Sequence, residues 1–206
     1  MRLDEKIALL ERERRQQEKE EKLLAEQKEN ARKEPVKKLT LEEAMEGIRT
    51  GEFRLESGEL FEFETRTFTD SQIPVVTFRN FFEASQEEAE GVIYVSHTNE
   101  VSQILSWPKE PIKPVSMKQW ANLLVNGMAA NRLHAKIVKT EELDFVDYIC
   151  FDVPSGKDRL YNIIFRLKGT GQQFTGNYNC RKQDEDTYGV FLEAMVITLN
   201  NLFSAK

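Results

Sequence analysis

Cysteine and histidine are scarce: two of each in 206 residues. Neither His97 nor His134 has a second histidine, a cysteine or a paired carboxylate at metal-ligand spacing, so no metal site is expected. Cys150 and Cys180 fall inside apolar, strand-like runs, which reads as two buried thiols in a reducing compartment. Long hydrophobic runs are missing as well, so no membrane span is expected. The opening Met1-Arg-Leu-Asp-Glu-Lys has no apolar stretch behind it to act as a secretory signal, and the expected location is cytoplasmic. Glycine-rich phosphate loops are not found. Gly169-Thr-Gly171 is followed by a strand pattern and not by a helix, and Gly156-Lys157 lacks the following hydroxyl, so no nucleotide or other cofactor is implied.

What the chain does hold is charge and phenylalanine. There are 13 Phe, and the net charge is −6. Residues 1–38 contain 12 Lys/Arg against 10 Asp/Glu, net +2, which leaves −8 for residues 39–206. An acidic body is a poor match to a phosphate backbone, and nucleic acid is not an expected partner.

Residues 3–33 read as a long charged helix, rich in good helix formers, with Glu11/Arg15, Glu18/Lys22 and Glu29/Lys33 spaced four apart. Its apolar stripes are broken where Arg14, Gln17 and Glu21 occupy heptad positions, so a coiled coil there would support only weak self-association. Pro35 interrupts it. Thr40-Leu-Glu-Glu43 fits a capping box opening a short helix that Gly51 ends, and residues 52–68 alternate as a hairpin with one solvated face. Strands are expected at 73–82, 92–95 and 101–107, followed by a proline connector at 108–114. Ser116-Met-Lys-Gln119 opens a second helix with Trp120, Leu123, Leu124 and Met128 on one face. Four more strands, 133–139, 145–153, 160–168 and 172–180, lead to a last helix at about 186–203, with Asp186 as its cap.

The expected fold is therefore α+β: an antiparallel sheet covered on one face by two helices, in two layers, with a long charged N-terminal helix. The expected organisation is residues 1–38 as a charged helical extension, 39–69 as a short helix and hairpin, and 70–206 as the α+β sandwich domain.

Candidates for chemistry are few. Cys180, beside Arg181 and Lys182, could serve as a nucleophile with His134 as its base, in a small hydrolase or transferase. The carboxylate pairs Glu141/Glu142, Asp144/Asp147 and Glu185/Asp186 read as solvated edges, and Asp152 reads as a partner for turn amides. The densest segment is "GKDRLYNIIFRLKGTGQQFTGNYNC". There Tyr161, Ile163, Phe165 and Leu167 alternate with Asn162 and Arg166, and Tyr178 and Cys180 alternate with Asn177 and Asn179. Asn162, Arg166, Gln173, Asn177 and Asn179 could decorate an uncovered sheet face, either as a recognition surface or as a polar network fixing strand register. Phe78, Phe81, Phe82 and Trp107 are a second candidate, as an aromatic anchor for a partner or as the seal of a small core.

The order of elements, with a strand leading into "VVTFRNFFEAS", a helix after a proline loop, a run of hairpins and a closing helix, resembles the PsbP/Mog1-like group of small α/β proteins over about residues 70–203. That resemblance implies a binding or assembly protein and not an enzyme, and it carries over no individual residue. A non-catalytic protein-binding or adaptor protein is the leading expectation. The alternatives are the cysteine enzyme and an immunity-type or secretion-system accessory protein whose acidic body binds a basic partner.

Overall fold

The computed structural model describes residues 38–68, 70–109, 115–169 and 173–204. The helix expected over 3–33, the break at Pro35 and most of the proline connector lie outside the described residues.

From Leu39 onward the chain forms one compact unit. Its elements run α1 (Leu41–Thr50), β1 (Glu52–Arg54), β2 (Leu60–Thr67), β3 (Pro74–Phe78), β4 (Ala84–Glu88), β5 (Gly91–Ser96) and β6 (Val101–Ser106). They continue with α2 (Met117–Ala130), β7 (Lys136–Glu142), β8 (Val146–Ser155), β9 (Asp158–Leu167), β10 (Thr175–Arg181) and α3 (Val190–Ser204). Local chemistry sets several boundaries. The Thr40 hydroxyl accepts from the Glu43 amide at 3.2 Å while the Glu43 carboxylate accepts from the Thr40 amide at 3.0 Å. Ser116 and Gln119 repeat this box at α2. Gly51, at φ 90°, supplies the left-handed turn that ends α1. α3 does not begin at Asp186: that residue lies in the turn ahead of it, and the helix starts at Val190. The helix is approached through a tight turn at Lys182–Asp184 and a widened turn at Glu185–Gly189.

The strands form two antiparallel sheets: a small one, β1-β2-β3, and a seven-stranded one in the order β4-β5-β6-β10-β9-β8-β7. One face of the large sheet carries Tyr94, Leu105, Tyr178, Phe165, Ile163, Tyr148 and Cys150, all buried in the main core. Two structures share the work of covering it. The small sheet lies over the β5–β6 side, where Phe82 stacks on Tyr94 at 5.4 Å, Phe68 stacks on Trp107 at 5.1 Å, and Thr77 Oγ1 donates to Gln103 Oε1 at 2.6 Å. α3 lies over β8 and β9, with Glu193 accepting from the Tyr148 hydroxyl at 2.7 Å and from Lys139 Nζ at 2.6 Å. The fully buried Phe191 of α3 joins the two coverings. Its ring lies 5.6, 4.8, 5.4 and 6.1 Å from those of Phe53, Phe61, Phe63 and Phe78.

α2 packs on the opposite face. A separate apolar cluster joins its Met117, Trp120, Leu124 and Met128 to Ile149, Phe151 and Val153 of β8, with Ile137 and Ile164 beside them. The expected two-layer arrangement, with an antiparallel sheet covered on a single face by two helices, is thus corrected. Three helices are present among the described residues, they lie on both faces, and the longest of them, α3, is C-terminal. The physical reason is the composition of β8, whose residues from Val146 to Val153 are all buried, so each face of that strand needs its own cover. Leu123, expected on the packed stripe of α2, is 59% exposed. β4 was not anticipated, because all five of its residues are exposed and none announces a strand by apolar alternation.

Gly176 in β10 is required by packing. A Cβ there would stand 2.2 Å from Phe165 Cζ, inside the core. Gly176→Ala is therefore expected to lower stability by about 1–3 kcal/mol, the usual range for overpacking, as read by urea denaturation.

Candidate functional site

The face that carries α2 is only partly occupied by it. Strand register arranges that face in rows. One row runs Ile93, Ile104, Asn177, Ile164, Ile149 across β5, β6, β10, β9 and β8. The next runs Val95, Ser102, Asn179, Asn162, Phe151, and a third runs Ser106, Thr175, Arg166, Asp147. The apolar cluster under α2 takes in Ile164, Ile149 and Phe151 but none of the positions on β10, β6 or β5. Among the described helices, none packs over those three strands on this face. What stands open there is a mixed surface: Ile93, Val95 and Ile104 beside Ser102, Ser106, Thr175, Asn177 and Asn179. All are half-buried by their strand neighbours except Ile93, which is 40% exposed.

The side chains expected on this face have separate fates. Asn179 donates to Ser102 Oγ at 2.7 Å, and Asn177 lies between Ile104 and Ile164 with its Oδ1 enclosed and without a hydrogen-bond partner among the described residues. These two stand on the open half. Asn162 is buried and donates to Leu160 O at 3.3 Å. Arg166 holds Asp147 Oδ2 through Nε at 3.0 Å and Nη2 at 2.7 Å, and its guanidinium lies 4.7 Å from the centre of the Trp120 ring. It is an anchor for α2 and not a free recognition group. Gln173 is half-buried just ahead of β10. Sequence reasoning missed Ser102, Ile104, Ser106 and Thr175, although the alternation in "VSQILS" marks Ser-Ile-Ser as one face of β6.

The aromatic candidates lie on the other side. Phe81 packs on Phe78 at 4.5 Å and on Tyr188 at 5.8 Å, and Phe82 packs on Tyr94. Trp107 is only 4% exposed, stacks on Phe68 and Phe174, and donates its indole N–H to Ala89 O at 2.8 Å. All three seal the core.

Asp147 is not a solvated edge. It is buried between Arg166 and Lys168, whose Nζ lies 2.6 Å from Oδ1. Asp152 meets Lys182 Nζ at 3.1 Å instead of turn amides. Cys180 is fully buried on the core face of β10, and burial, with Asp184 and Glu185 behind it, pushes its thiol up to about 12. A nucleophile needs the reverse. His134 is exposed before β7, with β9 and β8 lying between that strand and β10. Among the described residues no three His, Cys, Asp or Glu side chains gather as a metal site, and no helix is long and apolar enough to cross a membrane.

No protein-family model matches the sequence, and no curated protein matches it. Among solved structures, the solution structure of cyanobacterial PsbP (CyanoP) from Synechocystis sp. PCC 6803 aligns with a TM-score of 0.51 at 11% identity, covering 65% of this chain and 88% of that one. The chain has a PsbP-like fold. The resemblance read from the order of elements is borne out at that level.

Within the PsbP-like body, the corner beside β4 depends on one carboxylate. Glu83 accepts from Ser96 Oγ at 3.1 Å and from the His97 amide at 2.8 Å. Hydrogen bonding, from the Thr98 hydroxyl first and then from these groups and its own amide, lowers its pKa from 4.5 to about 2. A carboxyl depressed in the folded state stabilises fully above its unfolded value and loses that contribution as pH falls toward the folded value. Between pH 4.5 and 2 the wild type should therefore lose stability more steeply than Glu83→Gln, as read from urea midpoints.

For the thiols, Cys150 and Cys180 should both resist a maleimide in the native protein and both react in urea. Native labelling of Cys180 would revive a catalytic role for it.

Proposed function

We propose that this chain is a non-catalytic binding protein whose PsbP-like body recognises a protein partner through the open half of the α2 face. The observation that carries this reading is the row register on β5, β6 and β10. It sets Ile93 and Ile104 beside Asn177, Asn179, Thr175 and two serines, on strands whose other face is core. Apolar side chains ringed by hydroxyl and amide groups can exclude water and still satisfy a partner's polar groups, the combination that protein interfaces use. Free thiols at Cys150 and Cys180 fit a reducing, cytoplasmic setting.

The test uses the full chain. Ile104→Lys and Asn177→Lys place charge on the open half, and Leu123→Lys places it on the solvent side of α2. Proteins co-purifying from the source cells are then quantified by mass spectrometry, with thermal melts confirming that each variant is folded. A partner lost from the first two variants and kept by the third is the expected result. Equal recovery from all three would remove the open half from the function.

A further inference from the structure

The two edges of the seven-stranded sheet are built differently. At β7 the pairing register breaks between Ile137 and Lys139, and lysines stand at Lys136 and Lys139. A bulge and lysines are the devices by which proteins stop an edge from pairing with another chain. β4 has neither. It pairs with β5 through five consecutive residues, from Ala84↔Val95 to Glu88↔Gly91, without a shift. All five of its residues are exposed, and it contains no lysine or proline. Alternate backbone N–H and C=O groups on its outer side therefore meet no strand among the described residues.

The same edge is acidic. Residues 83–90 hold Glu83, Glu87, Glu88 and Glu90 and no lysine or arginine. Glu83 is turned inward onto Ser96 and His97, and Lys109 Nζ lies 3.9 Å from Glu90. Glu88 accepts from Gln86 Nε2 at 2.7 Å. Because successive strand residues alternate, Glu87 and Glu88 put a carboxylate on each face of the edge. Glu88, Gln86 and Ala84 share the face of Gly91, Ile93 and Val95, so an added strand would extend the open half as one surface.

We propose that β4 is a docking edge that takes a basic, extended segment of a partner protein as an eighth strand. This inference rests on the binding-protein reading and names the partner's chemistry. Backbone hydrogen bonds give affinity in strand addition and flanking side chains give selectivity, which here is selectivity for lysine and arginine. A second copy of the chain is disfavoured as the occupant, since two such edges would set glutamates against glutamates.

The probe is an acetylated octapeptide of alternating lysine and valine, added to the full chain at low salt and followed by backbone amide NMR and fluorescence anisotropy. Binding should shift the amides of residues 84–88, protect them from hydrogen exchange, and weaken as salt rises. N-methylation of alternate residues along one edge of the peptide keeps its charge and side chains but removes its strand donors, and should cost about tenfold or more in affinity. Glu87→Lys with Glu88→Lys should cost a similar factor, about tenfold, by charge repulsion, while Glu142→Lys at the β7 edge should change nothing. No binding, or binding indifferent to N-methylation, would overturn the docking edge, as would shifts on β7 in place of β4. Shifts confined to Ile104 and Asn177 would overturn the edge while leaving the open-face reading intact. Partner loss in the open-face variants with no β4 response separates the two in the same way.

Discussion

The architecture depends on the packing of one ring. Phe191 is fully buried in α3, and four phenylalanines from the first part of the described chain meet it: Phe53, Phe61, Phe63 and Phe78. Replacing a buried phenylalanine by alanine commonly costs about 3–5 kcal/mol, a large share of the roughly 5–15 kcal/mol by which domains are stable. Through this contact the small sheet and α3 act as a single cover over the core face. Gln103 reinforces the joint: it accepts from Thr77 of the small sheet and donates to Met195 Sδ of α3 at 3.0 Å. A buried amide satisfied by two separate coverings fixes how they meet.

The opposite face is covered only in part. There α2 is held by the Trp120–Arg166–Asp147 stack and by the apolar surface of β8, and its cluster stops at Ile164 of β9. The strands beyond can carry amides and hydroxyls outward because their inward positions, such as Tyr178, Cys180, Leu105 and Val92, already supply the burial that holds them in the sheet. Core burial and the outward display of polar groups are thus divided between the two sides of the same strands.

Much of this was legible locally. The boxes at Thr40/Glu43 and Ser116/Gln119 need only four residues to be read, and strict alternation separates Asn177 and Asn179 from Tyr178 and Cys180. The side of the sheet taken by each helix was not legible, because an apolar stripe shows that a helix packs and not where. The apolar run Tyr148-Ile-Cys-Phe151 was the available sign that cover was needed on both faces, and Asp147 and Asp152 at its ends obscured it. Asp147 read as solvated beside its acidic neighbours, since its partners Arg166 and Lys168 come from another strand. β4 gave no apolar signal at all: its strand character comes from its neighbour β5.

The position of Phe191 also imposes a sequence of events on synthesis. Phe53, Phe61, Phe63 and Phe78 leave the ribosome more than a hundred residues before Phe191, so the aromatic half of the body must wait, uncovered, until α3 has been made. Domains generally fold as units while they are made, and here the unit closes only when α3 docks. A nascent chain halted short of α3 would present that aromatic surface to chaperones and proteases, so α3 acts as the latch that takes it out of their reach.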